Sequence, residues 1–488
     1  MSVLKQLAGQ TVIYGMSNIL PRILHFVIFT IYLTYRFPNQ VDFAVYLELY
    51  AYATIILVLL VYRMDTAFFR FGNKEAEKER AFSTAMIPLI FTVIISSGLM
   101  YVFHQELATL IDYDHKPEYI KWFALILGFD ALVALPYAKM RLDQKPKKFL
   151  FYRLLNIIIT VAVVLFFLEI APGIGASDFV NQIYKTENQI DYVFLANLIA
   201  SAVVFLFMIP EFFKIKLQFD STLWKKMFWY SLPLVLVGIA GNINQSFAAP
   251  IQKYFLGEDQ IINMVNAGIY GAAAKMALLL NLFTVAFNYA AEPFFFNNAD
   301  KKDAKKTYGL VALAFTITAC LVILGITSYI DIVSNLLGPN YRAGVPVVPI
   351  LLFAYLFLGL YYNFSIWYKL DDKTYWGAII SVIGAIITLI ISITYLPSMG
   401  YVASAWAALV CYGVMTILGY VTGKKYYPIE YPLLKIVGYI IITLVLVIFY
   451  KYLEMFDLNY LTLFILKTSI IIGFIIFAWF KDGKSLMA

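Results

Sequence analysis

The chain has 488 residues, of which 62% are hydrophobic and only 14% charged, with a formal net charge of +7 and a mean hydropathy of +0.78. Water-soluble globular domains do not combine so few charges with so much apolar surface, so composition argues against a soluble enzyme and predicts an all-α polytopic membrane protein. The two cysteines and three histidines form no CxxC or paired-histidine spacing, which argues against zinc and redox chemistry.

In chain order, apolar runs long enough to cross roughly 30 Å of hydrocarbon lie near 10–35, 43–63, 82–104, 119–139, 149–170, 191–212, 227–250, 267–291, 307–330, 346–368, 374–396, 401–422, 432–452 and 460–480. That pattern predicts fourteen helices, because a helix satisfies every backbone group without a partner segment. The first run carries a charge and no small-residue cleavage site, so it is expected to be a retained span and not a signal peptide. Alternate loops hold the basic residues: Arg63, Arg70, Lys74, Lys78 and Arg80 in one, Lys139, Arg141, Lys145, Lys147 and Lys148 in the next, with later members through Lys424 and Lys425. The intervening loops carry scattered bases such as Lys116, Lys185 and Arg342. The positive-inside rule then places both termini in the cytoplasm. This distribution accounts for the excess charge without nucleic acid.

Three short strings recur at one offset. "DTAFF" from Asp65 matches "EPFFF" from Glu292, Arg80-Ala-Phe matches Lys306-Thr-Tyr, and "RLDQK" from Arg141 matches "KLDDK" from Lys369. The repeat predicts an N-lobe over 1–213, a cytoplasmic linker over 214–226, a C-lobe over 227–423, and two further helices with a tail over 424–488. With six helices in each lobe the repeats are parallel, an arrangement that suits alternating exposure of a site between lobes.

Polar groups inside spans are costly, so each is a functional candidate. Thr11, Asn18, Arg22 and His25 share one helical face, as do Ser231, Gly238, Asn242 and Gln245 in the seventh span, and the second span runs Glu48, Tyr52, Ile55, Leu59 and Tyr62 along one side. The eighth span holds Lys275 and a stripe of Asn281, Asn288 and Glu292. Asp130 lies mid-span, and Tyr361, Tyr362 and Asn363 offer flat rings and hydrogen bonds suited to sugars. Bases without a matching number of deep acids point to an anionic ligand held by Arg22, His25 and Lys275. The bland readings stand beside this one. Arg22 can instead pair with Glu48 or Asp130, Lys275 can snorkel, His25 can be a satisfied buried imidazole, and Glu292 can be interfacial; Arg153 and Lys467 read as anchors. Glu48, Asp130 and Glu292 are the candidates for coupling to protons or sodium; no other cofactor is expected.

The strings "AGIYGAAAKMALLLNLFTVAFNYAAEPFFF", "VPVVPILLFAYLFLGLYYNFSIWYKLDDKTYWGA" and "PYAKMRLDQKPKKF" resemble the oligosaccharide flippase family of bacterial polysaccharide transporters, within the multidrug/oligosaccharidyl-lipid/polysaccharide exporter superfamily. The resemblance implies a two-lobed twelve-helix core with two added helices. It also implies a cargo of polyprenyl-diphosphate-linked oligosaccharide, moved between leaflets for O-antigen, lipopolysaccharide or capsule synthesis, with membrane lipids and glycan-assembly proteins as partners. One departure is local: relatives commonly show Asp-Arg where this chain has Ala248 and Ala249. The rival readings are a cation-coupled multidrug exporter, a membrane glycan polymerase or ligase, and a scaffold for glycan assembly. No nucleotide-binding P-loop is present, and the stretch over 171–190 is too short for a catalytic domain.

Overall fold

The computed structural model describes residues 23, 24, 26–73, 75–173, 189–213, 216, 218–297, 303–371, 373–456 and 459–483. Asn18, Arg22 and His25 therefore lie outside the described residues, as does the side chain of Glu292. Among the described residues the secondary structure is helical, with no strand. Thirteen helices are long and apolar enough to span a membrane, and they coincide with the second to fourteenth runs expected from sequence. The first run is described only from residue 23 onward.

The helices are α1 (Leu33–Arg36, continuing a π-helical turn Val27–Tyr32), α2 (Gln40–Val61), α3 (Met64–Phe71), α4 (Glu75–Val102), α5 (His104–Leu110), α6 (Glu118–Leu142), α7 (Pro146–Leu165) and α8 (Gln189–Phe212). They continue as α9 (Ser221–Ser246), α10 (Ala248–Phe255), α11 (Gln260–Asn297), α12 (Ala304–Ser328), α13 (Val348–Phe364), α14 (Tyr375–Met399), α15 (Val402–Tyr426), α16 (Leu433–Leu453) and α17 (Tyr460–Ala478). Four of them start on side-chain caps, α2 on Asn39, whose Oδ1 accepts from the Val41 amide at 3.1 Å. Asp220 Oδ1 accepts from the amides of Thr222 and Leu223 at 2.9 and 3.0 Å, Asp259 Oδ1 from Ile261 and Ile262 at 2.8 and 3.1 Å, and Asn459 Oδ1 from Leu461 at 2.9 Å. The cap at Asp220 is why α9 begins inside the stretch read from sequence as linker.

Contacts divide the described residues into two units. The first comprises Glu48–Asn242 with the described residues before Phe29, and the second comprises Phe29–Leu47 and the chain from Ile243 onward. In the first unit α4 packs along α6, and α8 lies along α6 and α7 around a core of Val133, Tyr137, Met140, Phe149, Tyr152, Val204 and Met208. Ion pairs tie loop to helix at one end: Lys78–Asp143 at 3.2 Å, Lys139–Glu79 at 2.7 Å, and Arg80–Asp220. Lys116–Asp191 at 2.8 Å and the Tyr119 hydroxyl donating to Asp191 at 2.5 Å join α6 to α8.

In the second unit α13 packs between α11 and α15, α14 lies along α15, and α16 lies along α12. The corner from Phe29 to Leu47 is stitched to the turn after α12. Tyr341 donates to the Phe37 carbonyl at 2.7 Å, Asn340 Nδ2 to the Pro38 carbonyl at 2.8 Å, and Gln40 Nε2 to the Asn340 carbonyl at 2.9 Å. Gly338 is obligatory here, since a Cβ at that position would fall onto the Thr34 carbonyl oxygen. The outward stripe Leu434, Val437, Ile441, Val445 and Ile448 on α16 is exposed, while Ile436, Tyr439 and Thr443 are buried against the bundle, the inversion expected where the solvent is lipid. Lys467, expected as an anchor, is instead 3% exposed and pairs with Glu454 at 2.6 Å, because α17 is antiparallel to α16 and brings the ammonium to the carboxylate that ends it.

Candidate functional site

Each unit presents its own polar interior. In the first, the apolar pattern of α9 places Phe228, Ser231, Val235, Gly238 and Asn242 on one stripe. The stripe seen in the sequence is thus an inward one. Ser231 is fully buried and donates to the Phe228 carbonyl at 2.9 Å, and Asn242 Nδ2 donates to the Thr54 carbonyl of α2 at 3.2 Å. Gln245, three residues on, belongs to the second unit.

The break between α2 and α3 supplies a residue that the sequence reading counted among loop bases. Tyr62 and Arg63 have φ of 36° and 55°, a left-handed conformation that costs energy in non-glycine residues. The Arg63 carbonyl then accepts from Thr66 and Ala67 at 3.1 and 3.2 Å, which starts α3. Arg63 therefore sits at the turn between α2 and α3, within the apolar stretch Gln40–Phe71. Its side chain lies against the backbone of α9 at Gly238. A Cβ on that glycine would be 2.9 Å from Nη2 and 3.0 Å from Nε, so only a residue without a side chain lets the guanidinium approach so closely. Arg63 is half-buried and makes no ion pair or side-chain hydrogen bond among the described residues. The signal was available: Arg63 stands four residues past Leu59, continuing the side that begins at Glu48.

The two interior acids of the first unit differ, Glu48 being held by hydrogen bonds and Asp130 making no ion pair among the described residues. Glu48 is fully buried; its Oε2 accepts from the Tyr113 hydroxyl at 2.7 Å and its Oε1 from Tyr52 at 3.2 Å. Tyr113 in turn stacks on His115 with centroids 5.9 Å apart. Asp130 feels the charge of Arg153, whose guanidinium lies over the rings of Tyr137 and Phe149 at 4.5 and 5.5 Å.

In the second unit Lys275 lies on α11, about two turns beyond the stretch in which Met264 and Ala267 pack with Ala44 and Ala249. It is half-buried, and like Arg63 it makes no ion pair or hydrogen bond among the described residues. The same cluster accounts for Ala249. It is 5% exposed among small side chains, where an arginine has no room. Tyr361 and Asn363 are core residues, 4% and 3% exposed. Asn363 Nδ2 donates to the Gly359 carbonyl at 2.9 Å while its Oδ1 is buried without a partner; Tyr362 packs on Tyr361 at 5.9 Å. Two further buried polar residues went unremarked in the sequence, Gln252 and Lys253 on α10. Gln252 Nε2 donates to Ser404 Oγ at 2.9 Å. No cluster of three or more His, Cys, Asp or Glu side chains suited to a metal occurs among the described residues.

No family pattern matches the sequence, and no curated protein matches it at a significant level. Solved structures do match the fold. The lipid II flippase MurJ in an inward closed conformation aligns with a TM-score of 0.69 at 16% identity, covering 98% of this chain and 100% of that one. An inward-facing multidrug resistance MATE family transporter of the MOP superfamily aligns at 0.62 and 10% identity over 82% of this chain and 94% of that one. MATE in a bent conformation aligns at 0.57 and 11% identity, covering 89% and 95%. The chain shares the fold of these multi-pass transporters.

Proposed function

We propose that the protein is a flippase that carries polyprenyl-diphosphate-linked oligosaccharide across the bacterial inner membrane by alternating access, for polysaccharide or O-antigen synthesis. The observation that carries this reading is the pair of uncompensated cations, Arg63 in the first unit and Lys275 in the second, each half-buried within an apolar stretch and without a protein partner among the described residues. An unpaired cation at such depth costs about 2.5–3.5 kcal/mol on insertion scales. A phosphate oxygen offsets that cost through charge-assisted hydrogen bonds, and the guanidinium fork suits it best. The full-length likeness to a lipid II flippase supports a lipid-linked cargo. Arg22 and His25 join the phosphate ligands in this reading, with Asn18, Asn242, Gln245, Tyr361, Tyr362 and Asn363 as candidates around the glycan. Proton or sodium coupling acts through Glu48, Asp130 or Glu292 by differential affinity for two states. Both termini lie in the cytoplasm, where the basic loops put them, and the polyprenyl tail stays in lipid beside the last two helices.

The likeness to multidrug transporters supports the alternative of drug extrusion. Cationic drugs call for free acids in the interior; Glu48 is held by two tyrosines, which leaves Asp130 as the interior acid to set against the two cations Arg63 and Lys275. The test is leaflet exchange of polyprenyl-diphosphate-linked sugars in proteoliposomes, with and without proton or sodium gradients, beside uptake of cationic dyes. Exchange that depends on Arg63 and Lys275 is the expected result. Dye transport without lipid exchange would favour the exporter, and chain lengthening of the sugar would favour a polymerase.

A further inference from the structure

The second unit contains a cavity that phosphate binding does not use. It lies among α9, α10, α11, α13, α14 and α15, is partly open, and has a volume for water centres of ≈ 50 Å³, room for about three to five water-sized groups. No Asp, Glu, Lys, Arg or His lines it. Its lining is instead neutral and mixed, with tyrosine, hydroxyl and amide groups beside apolar residues such as Ala248, Ile251, Leu351 and Ala408.

Some of the polar lining is already satisfied. Thr388 donates to Asn244 Oδ1 at 2.8 Å, and the Tyr412 hydroxyl donates to the Asn244 carbonyl at 3.3 Å. Asn244 Nδ2 finds only the thioether of Met415 at 4.0 Å, a weak acceptor. The hydroxyls of Tyr270, Tyr355 and Ser392 make no hydrogen bond to protein among the described residues, although these residues are only 6%, 7% and 2% exposed. Three hydroxyls on buried residues and an amide thus line a shared space with bonding capacity left over, the hydroxyl oxygens themselves being accessible. Buried polar groups are costly when unpaired, so the space is built for something that pairs with them. An anion finds no positive partner there and a cation no carboxylate. A small uncharged group bearing one acceptor, one donor and an apolar end uses both kinds of lining group.

We infer that this cavity is a subsite for the acetamido arm of an N-acetylated sugar. The carbonyl accepts from the tyrosine hydroxyls, the N–H donates to a hydroxyl oxygen, and the methyl meets Ala248, Ile251 and Leu351. The four heavy atoms of the arm match the volume, while a whole pyranose ring does not fit and stays outside. The inference rests on the proposed glycan cargo and names the part of the glycan that is read.

The experiment is saturation-transfer NMR on the purified full chain with free N-acetylglucosamine, glucose, glucosamine and glucuronate at millimolar concentration, in sodium and in potassium buffer. The expected result is strong transfer to the acetyl methyl of N-acetylglucosamine, at least fivefold weaker transfer to the other three, and a loss of at least fivefold in Tyr355→Phe, a variant that keeps the ring. Ser392→Ala, which removes only an oxygen, gives the same loss if Tyr355→Phe proves unstable. Equal transfer to glucose, no transfer at all, or transfer unchanged in both variants overturns the inference. So does a signal abolished by exchanging sodium for potassium, since the cavity would then hold an ion. Leaflet exchange that depends on Arg63 without any sugar signal retires this subsite and leaves the phosphate reading standing; a sugar signal without leaflet exchange does the reverse.

Discussion

Replacing Gly238 by alanine adds one methyl beside the Arg63 guanidinium. That methyl would sit 2.9 Å from Nη2, 3.0 Å from Nε and 3.0 Å from Val58 Cγ1, where ordinary contacts begin at 3.4 Å. The guanidinium must withdraw by about 0.5 Å or turn, and a torsion displaced by that much costs about 0.5–1.5 kcal/mol, so the fold tolerates it. Binding is affected more. A charge-assisted hydrogen bond contributes about 1.5–3 kcal/mol, and a fork aimed wrongly loses one of its two. The half-saturating mole fraction of lipid-linked diphosphate should therefore rise roughly ten- to a hundredfold, read from leaflet exchange in proteoliposomes at graded lipid content. Arg63→Lys should behave alike, since an ammonium keeps the charge but not the fork, and Arg63→Ala should lose most exchange. Normal exchange in Gly238→Ala and Arg63→Ala at every lipid fraction would refute the assignment. A fall in exchange that merely tracks a fall in melting temperature would do so too.

Lys275→Met should raise stability by about 1–2 kcal/mol, because an uncompensated buried charge is replaced by an apolar chain of similar length, while leaflet exchange falls; a thermal melt and a flux assay on one preparation decide it. Glu454→Gln should destabilise more than Lys467→Met, as the first strands a buried ammonium and the second leaves a carboxylate that is 35% exposed and open to solvent; comparative melts show the order. Gly338→Ala should dislodge the stitched corner by driving a methyl onto the Thr34 carbonyl, a backbone clash costing about 2 kcal/mol or more, seen as new protease sensitivity near residues 34–40. For acid sensitivity, burial raises the Asp143 carboxyl but bonds from Lys145 and Lys78 outweigh it, and the Leu223 amide, against slight burial and with Arg80, lowers Asp220. Both folded values lie below 3.8, so their stabilisation is complete above that pH and is lost as pH falls through the folded values. Melting temperature followed from about pH 5 to about pH 3 should fall less steeply in Asp143→Asn and Asp220→Asn.

Span positions were legible because about twenty apolar residues in a row admit few alternatives in lipid. The seventh span shows the limit. Its stripe of Ser231, Gly238 and Asn242 was visible, but periodicity names a face and not its neighbour, and that face packs on α2. Arg63 was read as a loop base and does stand in a turn; the left-handed conformation at Tyr62 and Arg63 that sets its guanidinium against Gly238 leaves no compositional trace. Lys467 was misread. Snorkelling was the sensible default for a lone lysine, and its partner Glu454 lies across a helical hairpin. The convergence of Tyr270, Tyr355 and Ser392 joins three helices distant in sequence, which no local pattern encodes.

The boundary between the units falls inside two α-helices, after Leu47 in the first half of α2 and after Asn242 near the end of α9. A continuous helix resists bending, so any swing of one unit against the other loads these two rods at those points, as torque on a shared axle. The fully buried Glu48 is the first residue past one such point. Its carboxylate is held there by Tyr113 and Tyr52, so that point of the rod is fastened by side chains as well as by its backbone.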